Sequence, residues 1–187
     1  MFRHPVCYNL VNRLVVAGLS SRVSQYSTAS EPFHHVKVEQ KNRTVWVTLN
    51  RPTIHNAFNE DLIAELTRAF REICRTTDDR VQPVVGHPTE AMPRAVVLTA
   101  EGKSFSAGAD LNWMKKMVSY SREQNMEDAQ KLYEMFHAIR VCPIPVVGRI
   151  NGSALGGGTG LISACDFSLT IDKSVSLDKN TKNLVDR

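Results

Sequence analysis

"NGSALGGGTGLISACD", residues 151–166, decides how this chain is read. Four of the five residues from Gly156 to Gly160 are glycine, and they follow an apolar, strand-like run, "PVVGRING". Glycine at that density frees the backbone dihedrals and lets another group come close to the main chain. A second stretch, "SFSAGADL" at residues 104–111, has the same design. Each follows a strand, passes through glycine or alanine and opens a helix. A helix start offers unpaired N–H groups and the positive end of the macrodipole. Two such bends facing each other would aim two N–H donors at one developing negative oxygen, which is an oxyanion hole. One bend alone is equally well explained by tight strand–helix packing; two in series favour a ligand.

Other glycine motifs fail in detail. A dinucleotide fingerprint needs G-x-G-x-x-G, and Gly160 followed by Leu161 breaks that spacing. A phosphate-binding Walker loop needs a lysine after its last glycine, and none is there. A hydrolase nucleophile elbow needs G-x-S-x-G, whereas Ser153 directly follows Gly152.

Working outward, "HHVKVEQKNRTVWVTLNRP" predicts two strands, Val36–Glu39 and Thr44–Asn50, around a "QKN" turn. "NEDLIAELTRAFREICR" carries Leu62, Leu66, Phe70 and Ile73 at helical spacing, with Asn59 as cap and Glu60 and Asp61 in the first turn. Residues 81–93 hold three prolines and predict a loop. "RAVVLTA" is a buried strand by its continuous apolar run. "LNWMKKMV" begins a helix, and Ser121 with Gln124 forms a capping box for another that reaches about Arg140. Its apolar stripe is Met126, Ala129, Leu132, Tyr133, Phe136 and Ile139. A further strand is expected near Phe167–Ile171. Strands alternating with helices imply an α/β fold of repeated strand–helix units.

Composition narrows the class. The 187 residues are 42% hydrophobic and 22% charged, ordinary for a globular chain, and no apolar run reaches bilayer length. The four cysteines (Cys7, Cys74, Cys142, Cys165) show no metal-type spacing and no disulfide framework, which suits a reducing compartment. Residues 1–30 contain Arg3, Arg13 and Arg22 and no acid, so most of the net charge of +4 sits there rather than on a nucleic-acid surface. That Arg-bearing, Ser-rich stretch has the composition of a mitochondrial transit peptide, with a disordered or helical arm as the other reading. The expected organisation is a leader at 1–30, a core domain at 31–175 and a divergent polar tail at 176–187.

At this point the residues resemble the enoyl-CoA hydratase/isomerase (crotonase) family. "LNRPTIHNAFN" is similar to its strand–turn–helix opening, "RAVVLTAEGKSFSAGADLNWM" to its first oxyanion segment and "PVVGRINGSALGGGTGLISACD" to its second. The likeness runs from about Val36 to Val175, and "GADLNWMKKM" with "GGGTGL" is most like methylglutaconyl-CoA hydratase-type members. The resemblance implies a crotonase-like spiral of ββα units, incomplete at the C-terminus, acting on α,β-unsaturated acyl-CoA thioesters in the mitochondrial matrix. It implies no metal and no cofactor other than the coenzyme A of the substrate, no nucleic-acid partner and no membrane span. By position the oxyanion donors are the backbone amides of Ala109 and Gly157. Ala107, Asp110 and Leu111 would line the thioester and pantetheine, with Gly156 beside them. Ile54, His55 and Ala57 match the segment that contacts the CoA moiety, and for His55 surface-loop packing is favoured over catalysis.

Departures from the family pattern are specific. Many hydratases place a glutamate two residues after the third glycine, where this chain has Gly160, as do methylglutaconyl-type members. A second family glutamate falls by register on Asn180, and the nearest late carboxylates, Asp178 and Asp186, lie in the tail. The expectation is that the chain keeps the hole and lacks the proton-transfer acids. The family implies a homotrimer or hexamer, and the expectation is that its trimer-forming C-terminal region has no counterpart after Val175. An active hydratase or isomerase, a catalytically impaired truncated isoform, and an interaction module for full-length subunits are therefore the three readings. Uncovered apolar surface is expected on "GLISACDFSL".

Overall fold

The computed structural model describes residues 32–77 and 92–170. The expected leader, most of the 81–93 loop, the polar tail, Asn180, Asp178 and Asp186 lie outside those residues. A five-stranded sheet runs in the order β1-β2-β3-β5-β7, formed by β1 (Val36–Lys41), β2 (Thr44–Leu49), β3 (Ala95–Ala100), β5 (Val146–Ile150) and β7 (Phe167–Thr170). The first pair is an antiparallel hairpin; each later pair is parallel and needs a crossover, which a helix supplies. The hairpin turn is tighter than expected: strand pairing continues to Lys41↔Thr44, and Asn42 takes a left-handed φ of 55°.

Helix α1 (Glu60–Thr77) joins β2 to β3. Asn59 caps it as predicted, its Oδ1 accepting the Leu62 N–H at 3.0 Å. Glu65 on α1 gathers the N–H groups of His34, His35 and Val36 and so pins the start of β1. Helices α2 (Leu111–Met117) and α3 (Arg122–Arg140) join β3 to β5, and α4 (Gly157–Ala164) joins β5 to β7. Ser121 and Gln124 form the full reciprocal capping box of α3.

The core lies between the sheet and these helices. Val45, Val47, Leu49, Val96, Leu98, Val146 and Ile150 from the strands are buried with Leu62, Leu66, Phe70 and Ile73 of α1, Met135 and Ile139 of α3, and Leu161 of α4. The expected apolar stripe of α3 is corrected by its packing. Leu132, Phe136 and Ile139 pack on the core as expected, whereas Met126, Ala129 and Tyr133 are exposed and Asp128, Met135 and Ala138 complete the buried face. Asp128 can be buried because its carboxylate accepts the indole N–H of the buried Trp113, at 3.3 Å.

Two short strands were not expected. β4 (Ser104–Ser106) and β6 (Ser153–Ala154) pair in parallel as a separate sheet. The chain therefore repeats a unit of long strand, short strand and helix, β3-β4 leading to α3 and β5-β6 leading to α4: this is a crotonase-type ββα spiral. At the far edge of the main sheet, Phe167 and Leu169 are 66% and 67% exposed, whereas Leu161, Ala164 and Cys165 of the same stretch are buried.

Candidate active site

The β4–β6 pair sets the two glycine-bearing bends side by side. Ser104 pairs with Ser153 and Ser106 with Ala154, and the Leu155 N–H continues the ladder to the Ser106 carbonyl at 2.9 Å. Just beyond, the backbones touch. A methyl on Gly108 would stand 2.9 Å from the Leu155 carbonyl oxygen and 3.4 Å from the Gly157 nitrogen. Gly108 and Gly156 also hold φ of +83° and +50°, where a Cβ is strained. The first thing that must approach this backbone is thus the other bend. The packing explanation of the glycines holds as well: a Cβ on Gly157 would strike the Phe58 ring, and one on Gly158 the Ser106 carbonyl.

An inventory of the amides shows what the contact leaves over. Phe58 runs beside the first bend as a parallel bridge to Ala109. It donates to the Gly108 carbonyl at 2.7 Å and accepts from the Asp110 N–H at 2.8 Å. The Ala107 N–H goes to the His55 carbonyl, and the Gly108 N–H to the Ser106 hydroxyl. In the second bend Gly158 donates to Leu155 and Thr159 to Gly156. The amides of Ala109 and Gly157 have no acceptor among the described residues. Gly157 is the first residue of α4, whose start has no side-chain cap, so its N–H stands at the positive end of that helix.

A polar network behind the first bend fixes it. Asn56 is fully buried with φ of 53°. Its Nδ2 donates to the Glu101 and Ser104 carbonyls, both at 2.9 Å, and its Oδ1 accepts the Arg51 N–H at 2.8 Å. The Ser106 hydroxyl donates to the Asn56 carbonyl. The Arg51 guanidinium donates to the Ala57 carbonyl at 2.6 Å and to Asp110 Oδ2 at 3.3 Å. Arg51, Asn56, Phe58 and Ser106 were not assigned roles from sequence. The advance signal for Arg51, Asn56 and Phe58 was their place in "LNRPTIHNAFN", the stretch similar to the family's strand–turn–helix opening.

The expected site residues fall into three groups. Ala107, Ala109, Asp110, Gly156 and Gly157 are brought together at the paired bends. Ile54, His55 and Ala57 lie on the loop behind them, Ile54 and His55 exposed and Ala57 buried. His55 rests its Nδ1 3.0 Å from the Ser104 hydroxyl. A groove of about 460 Å³ lined by His35 and residues 50–54 opens beside Ile54. Leu111, 73% exposed, opens α2. The Asp110 carboxylate is already committed: Oδ1 caps α2 through the Asn112 N–H and Oδ2 meets Arg51. Gly160 carries no acid, and the ring of Phe136 fills the space beside it, 2.8 Å from where a Cβ would stand.

Comparison with known proteins places the fold in a family. The family model described as enoyl-CoA hydratase/isomerase matches residues 39–183. The chain belongs to that family. An enoyl-CoA isomerase/hydratase of Mycosarcoma maydis is 34% identical over 127 residues, covering 67% of this chain and 43% of the relative. A mitochondrial Δ(3,5)-Δ(2,4)-dienoyl-CoA isomerase of Pongo abelii is 31% identical over 129 residues, covering 65% and 35%. The crystal structure of an enoyl-CoA hydratase from Shewanella pealeana superposes with a TM-score of 0.67 at 28% identity, covering 81% of this chain and 52% of that one. The chain spans about half the length of the relatives it matches or less.

Proposed function

We propose that the chain binds an acyl-CoA thioester with its carbonyl oxygen between the amides of Ala109 and Gly157, and acts on α,β-unsaturated acyl thioesters through an enolate held there. The observation that carries this reading is the pair of unbonded amides at two touching bends. Donors so placed stabilise charge that develops on the oxygen, by about 2.7–4 kcal/mol each in a site that excludes water. Ala107, Gly156 and Leu111 would flank the thioester, and Ile54, His55 and Ala57 the CoA moiety. The resemblance supports hydration or isomerisation as the reaction, and the coenzyme A of the substrate would be the group carried.

Proton transfer limits that reaction. Hydration needs a base for water and an acid for the α-carbon, each worth roughly 10²–10⁴-fold. Asp110 is tied to Arg51 and to α2, and Phe136 fills the space beside Gly160. This observation favours a second reading, a chain that binds the thioester and polarises it but turns it over slowly. Purified protein mixed with crotonyl-CoA tests both. Rapid loss of the conjugated-thioester absorbance supports the active reading, and tight binding of butyryl-CoA with no such loss from crotonyl-CoA supports the slow one. If the chain binds butyryl-CoA no better than coenzyme A, the amide pair has no role in substrate recognition. The acid-free N-terminal composition and the mitochondrial relative support a matrix location, which fractionation of cells expressing a C-terminally tagged chain tests.

A further inference from the structure

We infer that Arg51 is a positioning residue for the Ala109 amide, a role that rests on the reading of the amide pair given above. Its side chain is 13% exposed, and its guanidinium spans two acceptors, the Ala57 carbonyl through Nη1 and Asp110 Oδ2 through Nη2. Those acceptors belong to the residue before Phe58 and the residue after Ala109. Phe58 and Ala109 are the two halves of the parallel bridge, tied by the bonds from Phe58 to Gly108 and from Asp110 to Phe58. The guanidinium therefore closes a ring around Ala109, with the backbone bridge on one side and the Arg51 fork on the other. Ala109 is held between two fixed neighbours while its own N–H meets no acceptor among the described residues.

Arg51 is itself held still. Its N–H goes to Asn56 Oδ1, and its carbonyl accepts from Ile54 and Asn56 at 3.2 and 2.9 Å. The other Asp110 oxygen caps α2, so one carboxylate links the Arg51 fork, the first bend and the helix that follows. A planar fork reaches two acceptors at a fixed angle, whereas a lysine ammonium supplies the charge without that geometry. In this arrangement Arg51 touches no reacting atom. It sets the direction of the amide that does.

The test uses the full chain and butyryl-CoA labelled with ¹³C at the thioester carbonyl. Difference infrared spectra of the bound carbonyl are compared for wild type, Arg51→Lys, Arg51→Gln and Asp110→Asn. Wild type is expected to shift the carbonyl stretch to lower frequency. Both Arg51 variants are expected to lose most of that shift while binding of coenzyme A itself changes less than about 3-fold, because charge without the fork does not aim the amide. Asp110→Asn, which keeps the shape and the cap on α2, should fall between. A wild-type-sized shift in Arg51→Lys overturns the proposal and points to the charge alone. Should Arg51→Lys fail to fold, a wild-type-sized shift in Asp110→Asn overturns it equally. Absence of any shift in wild type refutes the reading of the amide pair itself, before any variant is considered.

Discussion

The two bends of the site are built by opposite means. The first, around Ala107–Asp110, is tied by polar side chains: Asn56, Ser106, Arg51 and Asp110 supply hydrogen bonds to it or to its immediate neighbours. The second, around Leu155–Gly160, has no side-chain cap and is located by missing methyl groups, through which the first bend, Phe58, Ser106 and Phe136 reach it. Loss of polar atoms should therefore damage the first bend, and gain of a single carbon should damage the second or the contact between the two.

The sharpest way to break the polar half is Asn56→Ala. It strands the Glu101 and Ser104 carbonyls and the Arg51 N–H, and puts an alanine at positive φ. Each unsatisfied buried group costs about 1–3 kcal/mol, so a loss of about 4 kcal/mol or more is expected in urea unfolding. Asn56→Asp should be no milder: it keeps Oδ1 for Arg51 but turns an oxygen that cannot donate towards the Glu101 and Ser104 carbonyls. If Asn56→Ala unfolds within 1 kcal/mol (about one hydrogen bond's worth) of wild type, the bend does not depend on its network.

The steric half breaks at the shared contact. Gly108→Ala meets a left-handed φ and a carbonyl oxygen 2.9 Å from the new methyl, on backbone that cannot rotate away. About 2–4 kcal/mol is expected, from αL strain plus overpacking. Butyryl-CoA binding should fall further than the stability loss explains, because the added methyl forces the bends apart. Equal binding by the folded variant would show that their spacing is irrelevant to the ligand.

How much of this was legible beforehand differs between the two bends in the same way. The glycine run, the α4 opening and the strand before it are local patterns, and they stand where the sequence puts them. Asn59 and the Ser121–Gln124 box are local too, readable because a cap acts within one turn. The network around Asn56 was invisible: its acceptors lie 45 and 48 residues away in the chain, and Asp110 lies 59 from Arg51. β4 and β6, with three and two residues, are too short to show any period, yet they align the bends. The α3 stripe was right at Leu132, Phe136 and Ile139 but wrong at Met126, Ala129 and Tyr133, because the polar Asp128 faces inward to Trp113, which periodicity of apolar residues alone cannot register.

Because α4 relies on apolar contact, it should be the half more sensitive to alkali. Cys165, at the end of α4, hydrogen-bonds the Leu161 carbonyl and packs against Gly148, and burial pushes its thiol up to about 12. The folded state binds that proton more tightly than the unfolded chain, whose thiol titrates near its ordinary value of 9.0. Its contribution is therefore complete below pH 9 and is lost as pH rises towards 12. At pH 10.5 the loss is about 2 kcal/mol. Cys165→Ala should start less stable at pH 7 but show a flatter decline between pH 9 and 11. Parallel slopes in urea titrations of the two proteins would remove the thiol from the account.

The smallest effect separates stability from geometry. Ser121→Ala removes half of the capping box of α3 and should cost about 1 kcal/mol, read as a lower urea midpoint with an unchanged slope. The box lies at the N-terminal end of α3, fifteen residues before Phe136, the contact through which that helix meets Gly160. α3 frays from its first turn, where Asp128 and Trp113 still hold the next one, so the Phe136 ring stays in place. Butyryl-CoA affinity should therefore be unchanged while stability falls. If affinity drops with stability here too, losses seen in Asn56→Ala and Gly108→Ala report general loosening, and the two bends cannot be credited with separate roles.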